Sequence, residues 1–314
     1  SLQEYANHYL VGGVSSSFRI NPYTNMPMYL SRAEGAYLYD VTGKRYIDYF
    51  MGHGAMLLGH RHPDIESAVR KILENGFLAE FDSPITIECA RAITEVIPCA
   101  ERLRFTNSGS ESTLLSMRLA RGYTGKDKIV RIDGHFHGNH DYVLFNNLAR
   151  SIDRENKGDR PSRIVRNSRG IPKAIEQTVI LIPWNSIKAF KKVIAESGED
   201  IAAIIMNPID YNNGCITTTR EYLEAVNAVA HENNIVVIYD EILSGFRTGI
   251  SCAQGYYGVT PDICTLGKAI SNGVPFSVVA GKEEIMATII DDELPVVSGG
   301  TFSGNLMGAA ATLA

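Results

Sequence analysis

The chain has few cysteines, no long apolar run and only a small excess of one charge. The odd number of cysteines and the lack of a C-x-x-C pair argue against a disulfide framework. This usage is typical of a reducing compartment, so we expect a cytoplasmic protein. No stretch is apolar for long enough to cross a bilayer, and no membrane partner is expected. The five cysteines are Cys89, Cys99, Cys215, Cys252 and Cys264.

Metal ions and nucleic acids also fit the sequence poorly. His135, His137 and His140 lie close together along the chain. Gly138 disfavours a regular helix there, and no cysteine or carboxylate pair completes a ligand set, so no metal is expected. The formal net charge is −5 and the basic residues lack interleaved aromatic residues, so nucleic acid is not expected as a partner.

What the sequence does contain is a regular alternation of apolar runs and segments with helical spacing. Such alternation predicts an α/β fold whose mostly parallel sheet of seven strands is covered by helices. A helix is also predicted over residues 63–75, and a short strand pair around residues 37–48. The predicted strands are 102–106, 128–132, 179–183, 201–206, 235–239, 262–266 and 277–281, and the helices between them are 109–122, 186–196 and 219–233.

Lys268 and Asp240 are the most informative residues of the chain. Each comes at the carboxyl end of a predicted strand, the edge of an open α/β sheet where ligands bind. Taken singly, a solvated lysine and a helix-capping aspartate are the more ordinary interpretations. Together they suit pyridoxal 5′-phosphate, which needs an amine for its aldehyde and a carboxylate beside its ring nitrogen.

A phosphate-binding turn is predicted upstream of this pair. Ser108, Gly109 and Ser110 separate a predicted strand from a predicted helix. Backbone N–H groups and hydroxyls at a helix N-terminus favour an anion, through the unsatisfied donors and the helix dipole. An ordinary serine N-cap is the alternative for this turn taken alone.

With these motifs, the sequence resembles the class III, fold-type I aminotransferases that use pyridoxal phosphate, and within them the glutamate-1-semialdehyde aminomutase branch. The similarity extends nearly from end to end. It rests on residues 12–14 (GGV), 35–40 (GAYLYD), 46–49 (YIDY), 58–63 (LGHRHP), 106–111 (TNSGSE), 118–122 (RLARG), 136–138 (FHG), 240–242 (DEI), 245–247 (GFR), 266–268 (LGK) and 300–305 (GTFSGN).

The resemblance implies a role for each matching residue. Lys268 and Asp240 would be catalytic, as the Schiff-base lysine and the partner of the pyridinium. A homodimer with shared active sites is implied as well, since the family's counterpart of Thr301 reaches the phosphate of the neighbouring subunit. Arg19 would grip a substrate carboxylate, and His53 would face the substrate. The implied cofactor-binding residues are Ser108, Gly109, Ser110, Phe136, His137, Asn212, Asp240, Ile242, Lys268 and Thr301.

Two departures from the family pattern bear on the substrate. Asn207 stands where the family usually has a glutamate, so any salt bridge made there is lost. Gly52 and His53 stand where the aminomutase usually has serine and tryptophan, which argues against glutamate-1-semialdehyde as the substrate. We therefore expect an aminotransferase that transfers an amino group from an amino-acid donor to an oxo acid or a carrier-bound oxoacyl group. An intramolecular aminomutase and a catalytically silent binding module are the alternatives.

The resemblance to the family also predicts the domain boundaries. We expect an N-terminal segment over residues 1–60 and a large cofactor-binding domain over residues 61–314, with a lid at about residues 146–173. Residues 150–173 contain eight basic and three acidic residues. This is either a solvated loop or a surface for an anionic partner, namely a phosphorylated substrate or an acidic acyl-carrier domain.

The family continues into a C-terminal small domain, for which no sequence follows Ala314. We therefore expect this chain to be a segment of a longer protein. A domain excised from a multidomain peptide or polyketide synthase is one such expectation.

Overall fold

The computed structural model describes residues 1–21 and 23–314, apart from the side chain of Asn75. The chain forms two compact units, Ser1–Pro63 and Asp64–Ala314. In the described residues, no helix has both the length and the apolar character that a membrane span requires.

The first unit is built from short elements. A three-stranded antiparallel sheet joins β3, β4 and β5 in that order, and β1 pairs with β2. The predicted strand pair is confirmed as β4 and β5, whereas β3 was not predicted because its side chains are mostly exposed and lack apolar alternation. The elements are α1 (Leu2–Asn7), β1 (Ile20–Asn21), β2 (Met26–Pro27), β3 (Leu30–Glu34), β4 (Tyr37–Asp40), β5 (Arg45–Ile47) and α2 (Met51–Gly54).

The second unit alternates strands and helices, as predicted. Its elements are α3 (Pro63–Asn75), α4 (Pro84–Val96), β6 (Arg102–Thr106), α5 (Gly109–Thr124), β7 (Lys128–Ile132), α6 (Lys173–Glu176), β8 (Val179–Ile182), α7 (Ile187–Ser197), β9 (Ile201–Met206), β10 (Ile209–Asp210), β11 (Ile216–Thr217), α8 (Arg220–Glu232), β12 (Val236–Glu241), α9 (Cys252–Tyr257), β13 (Ile263–Leu266), β14 (Ser277–Gly281), α10 (Glu283–Met286) and α11 (Leu306–Leu313).

The central sheet of this unit has seven strands in the order β6-β14-β13-β12-β9-β7-β8. Only β14 runs against its neighbours, while the other pairs along the sheet are parallel. Strands β9 and β12 are buried along their whole length, which explains their nearly continuous apolar sequences. The predicted α/β fold with a mostly parallel seven-stranded sheet is confirmed, and the carboxyl ends of β12 and β13 meet at one edge.

Helix α5 packs on this sheet and sets the position of the turn before it. The side chain of Ser108 caps the helix by accepting the N–H of Glu111 at 3.3 Å. Gly125 ends the helix with a φ of +70°, a left-handed conformation that glycine adopts without a steric penalty. The preceding helix α4 begins at a Ser83–Pro84 capping signal and was not predicted.

Candidate active site

Asp240 lies at the carboxyl end of β12, buried to 2% exposure. One carboxylate oxygen, Oδ2, is 2.8 Å from Nδ1 of His137. The other, Oδ1, accepts the Thr265 hydroxyl and the backbone N–H of Ile242, both at 3.1 Å. These contacts hold the carboxyl group of Asp240 in one orientation, with both of its oxygens engaged.

Lys268 follows the neighbouring strand β13, which pairs with β12 in parallel so that Asp240 is opposite Thr265. Its backbone has a φ of +48°, which is strained for a residue with a side chain and typical of functional positions. Burial lowers the pKa of Lys268, and the charge of Arg247 lowers it further, while Asp240 opposes both. A lysine with a lowered pKa is suited to act as a base or nucleophile near neutral pH.

Hydroxyl groups connect the strand before Lys268 to the phosphate turn. Ser277 donates to the carbonyl of Leu266 at 2.5 Å. The Ser277 hydroxyl is 2.7 Å from that of Ser112 in the first turn of α5, and Ser112 is 2.7 Å from the hydroxyl of Thr106. The N-terminus of α5 is therefore fixed relative to the lysine.

The predicted phosphate turn lies at the start of the 16-residue helix α5. A Cβ on Gly109 would lie 3.0 Å from the side chain of Ile242, so the turn packs against the residue that follows Asp240 and Glu241. The Ser110 hydroxyl accepts the N–H of Asn139 at 2.9 Å and keeps its own proton to donate. The predicted residues Ser108, Gly109, Ser110 and Ile242 are thus brought together.

The segment with Phe136 and His137 packs against this turn. The Thr113 hydroxyl donates to the carbonyl of His137 at 2.6 Å. Gly138 has a φ of +108°, and a Cβ there would lie 2.7 Å from Oγ of Ser110. Burial lowers the pKa of His137, which the bond to Asp240 only partly offsets, so at neutral pH the imidazole is neutral and donates from Nδ1.

The hairpin of β10 and β11 joins the same region and contains residues that the sequence did not indicate. Asp210 is buried and accepts the N–H of Asn212 at 3.2 Å and the side chain of Asn213 at 2.7 Å. Asn213 also donates to the carbonyl of Gly134 at 2.8 Å, which connects the hairpin to the segment with Phe136. Burial raises the pKa of Asp210.

Asn207 forms hydrogen bonds with His135 and with the backbone of Asp240. The side chain of Asn207 donates to the carbonyl of Asp240 at 3.1 Å, and its backbone N–H donates to Nδ1 of His135 at 3.0 Å. The proton of His135 is therefore on Nε2, which is 3.8 Å from the Asp210 carboxylate. No ion pair involves Asn207, so an amide–carbonyl bond stands where the family pattern has an acid.

The other predicted residues are Thr301, Arg19 and His53. Thr301 is exposed and donates to Glu80 at 3.2 Å. In the first unit, Arg19 donates to Ser15 at 2.5 Å, and the ring of His53 stacks edge-on with Phe50 at a centroid distance of 4.1 Å. Their predicted roles toward cofactor and substrate stay predictions.

The predicted lid, at about residues 146–173, contains no helix or strand before Lys173, where α6 begins. Arg160 pairs with Asp153, and Arg166 pairs with Glu176. The other basic residues of this segment make no ion pair within the described chain: Arg150, Arg154, Lys157, Arg163, Arg169 and Lys173. Nor do the described residues contain a group of histidine, cysteine and acidic side chains that would hold a metal ion.

The residue types of this site fit pyridoxal phosphate. A buried carboxylate is available for a protonated ring nitrogen, and a lysine with a lowered pKa is available for an aldehyde. The turn before α5 offers hydroxyls and N–H groups to a phosphate.

Comparison with known proteins agrees with this chemistry. The structure matches an omega-transaminase from Sphaerobacter thermophilus with a TM-score of 0.91 and 28% identity, over 99% of this chain and 70% of that one. It matches a transaminase with PLP bound with a TM-score of 0.90 and 26% identity, over 99% and 71% of the two chains. The fold is thus that of a transaminase.

Sequence comparison identifies the family of transaminases to which the chain belongs. The sequence profile of the family described as "Aminotransferase class-III" matches residues 19–314. The glutamate-1-semialdehyde 2,1-aminomutase of Methanocaldococcus jannaschii is 40% identical over 314 residues, which are all of this chain and 71% of that protein. The chain belongs to the class-III aminotransferase family, and the resemblance predicted from its motifs is confirmed.

Proposed function

We propose that the protein is an aminotransferase dependent on pyridoxal phosphate, which transfers an amino group from an amino-acid donor to an oxo acid or a carrier-bound oxoacyl group. The observation that carries the proposal is the position of Lys268 and Asp240 at the carboxyl ends of neighbouring parallel strands. Membership of the class-III family supports it at the level of the reaction class.

The cofactor is held by residues from several elements. Ser108, Gly109 and Ser110 would bind its phosphate at the start of α5, where donors are available. Asp240 would interact with the ring nitrogen, and Phe136 and Ile242 would pack against the ring. His137 would orient Asp240. The remaining cofactor-binding residues would be Asn212 and, from the second subunit of a homodimer, Thr301.

When bound, pyridoxal phosphate supplies an aldehyde that combines with amines and a ring that accepts an electron pair. The residues of this chain bind, orient and transfer protons. Asp240 keeps a negative charge beside the ring nitrogen because three donors hold it. The Nζ of Lys268 would hold the cofactor through its aldehyde and would take up and release a proton at the substrate carbon, a role that the lowered pKa of this amine favours.

Substrate recognition is assigned to groups outside this cluster. Arg19 binds a carboxylate through the two parallel N–H groups of its guanidinium, and His53 lines the substrate position. The basic side chains of the lid attract an anionic acceptor to the entrance of the site.

An intramolecular aminomutase is the second candidate, because the relatives at 40% identity carry that name. The two reactions differ in whether an external amino donor is consumed. The purified protein is therefore assayed for amination of a panel of oxo acids, with and without L-glutamate or L-alanine. Amination only with a donor, with matching formation of the donor's oxo acid, supports the aminotransferase.

Conversion of glutamate-1-semialdehyde to 5-aminolevulinate without any donor would instead establish the aminomutase. A folded protein that neither binds pyridoxal phosphate nor transforms any substrate would favour the third alternative, a catalytically silent binding module.

A further inference from the structure

Arg131 is one of the largest fully buried side chains of the protein, with 0% of its surface exposed. It lies on β7, between β9 and the edge strand β8, and within the described chain no carboxylate is close enough to form an ion pair with it. Burying a guanidinium without an ion pair opposes folding unless its N–H groups are hydrogen-bonded. Burial lowers the pKa of Arg131 to about 9, which leaves it charged at neutral pH.

The guanidinium of Arg131 forms hydrogen bonds with two backbone carbonyls. One terminal nitrogen donates to the carbonyl of His135, and the other donates to the carbonyl of Phe145, each at 3.1 Å. These carbonyls lie near the two ends of the irregular segment of residues 133–145, hereafter the histidine loop. The planar guanidinium can hold both carbonyls at once because its N–H groups point in fixed directions.

The histidine loop contains two groups of the site, Phe136 and His137. It has no helix or strand to stabilise it, so its shape depends on individual hydrogen bonds. Thr113 and Ser110, near the start of α5, form hydrogen bonds with the histidine loop. Arg131, on β7, forms a hydrogen bond with the same loop. The result is the 2.8 Å contact between His137 and Asp240.

The positive charge of Arg131 acts on the imidazoles as well. Burial is the main reason that the pKa values of His135, His137 and His140 are lowered, and the nearby charge of Arg131 lowers each of them further. His137 is also faced by Asp240 and Asp210, which oppose this effect. A neutral His137 donates to Asp240 without neutralising it, so the carboxylate retains its charge for the ring nitrogen.

We propose that Arg131 is a positioning residue of the active site, whose buried guanidinium holds the histidine loop in place and thereby holds His137 beside Asp240. This role rests on the proposed function, because it is through Asp240 that the histidine loop affects the cofactor.

The test compares Arg131→Met, Arg131→Lys and the matched control Lys128→Met in the purified protein. Lys128 lies three residues earlier on the same strand and pairs with Asp200, so its loss removes a positive charge without touching the histidine loop. Two quantities are measured: hydrogen exchange of the peptides that cover residues 133–145, and the pH at which pyridoxal phosphate dissociates on acidification, read from the visible absorption band.

In Arg131→Met, we expect exchange in the histidine loop to be about tenfold faster, with exchange in α8 unchanged. The pH of cofactor release should rise, because one of the charges that lower the pKa of His137 has been removed. Arg131→Lys keeps the charge but bonds only one carbonyl, so we expect faster loop exchange with the wild-type release pH. Lys128→Met should behave as the wild type.

The proposal would be overturned if Arg131→Met showed the same hydrogen exchange in the histidine loop and the same pH of cofactor release as the wild type. If that variant does not fold, unchanged loop exchange in Arg131→Lys would overturn it instead. A wild-type protein without any visible band would contradict the proposed function, while the exchange data would still decide whether Arg131 holds the histidine loop.

Discussion

Nδ1 of His137 lies 2.8 Å from Oδ2 of Asp240, and both side chains are almost completely removed from solvent. The two residues are 103 positions apart in sequence, and the contact joins the histidine loop to the end of β12. A buried carboxylate oriented in this way is what a protonated pyridine ring requires.

Asp240→Asn tests the charge of this pair. The amide keeps the shape of the side chain but removes the negative charge, so we expect weaker binding of pyridoxal phosphate and a turnover rate lowered by about 100-fold or more. Cofactor titration and donor-dependent turnover measure the two effects. Asp127→Asn, at an exposed position, is the control. A variant with wild-type affinity and rate would show that the charge of Asp240 is not used.

Gly138→Ala tests the packing of the histidine loop on the phosphate turn. The new Cβ would lie 2.7 Å from Oγ of Ser110, at a backbone φ of +108°. We expect a loss of about 1–3 kcal/mol in the free energy of unfolding and weaker cofactor binding. Gly125→Ala is the matched control, since its φ of +70° is also positive but no atom lies within 4 Å of its Cβ. It should lose about 1 kcal/mol and bind the cofactor normally. Equal cofactor affinity in the two variants would refute the predicted clash.

Glu241→Gln tests a buried acid on the strand that ends in Asp240 and Glu241. Glu241 accepts the backbone N–H of Ala253 at 2.6 Å and the side chain of Gln254 at 2.9 Å, and burial raises its pKa from 4.5 to about 7. The folded protein therefore holds this proton more tightly than the unfolded chain does. The stability from this group is complete below pH 4.5 and is lost as the pH rises through about 7.

We therefore expect the free energy of unfolding of the wild type to decrease between these pH values by an amount on the order of 1–3 kcal/mol that Glu241→Gln lacks. Urea denaturation at several pH values measures the slope. Glu232→Gln, at an exposed position of α8, should keep the wild-type slope. Parallel slopes for the wild type and Glu241→Gln would contradict the assignment.

Much of the fold could be predicted because its signals are local. The apolar runs that form β9 and β12 and the serine, glycine and glutamate residues that begin α5 are contiguous in sequence. The same holds for Asp240 and Lys268, since the carboxyl ends of parallel strands share one edge of the sheet.

The polar residues behind the site could not be predicted, because their partners are far apart in sequence. Asp210 contacts the loop after β7 through Asn213, and Arg131 holds a carbonyl fourteen residues later. One signal was present, namely an arginine within the otherwise apolar run 129–132 of a strand buried on both faces. An arginine in such a run either has an internal partner or disrupts the strand.

The absorption spectrum of the purified protein with pyridoxal phosphate, before and after addition of L-glutamate, shows whether Lys268 binds the cofactor and takes part in amino-group transfer, with Lys268→Ala as the control. We expect a visible band in the wild type that disappears with glutamate, and no such response in Lys268→Ala. A folded wild-type protein that develops no cofactor band, or a Lys268→Ala protein that responds like the wild type, would contradict this expectation.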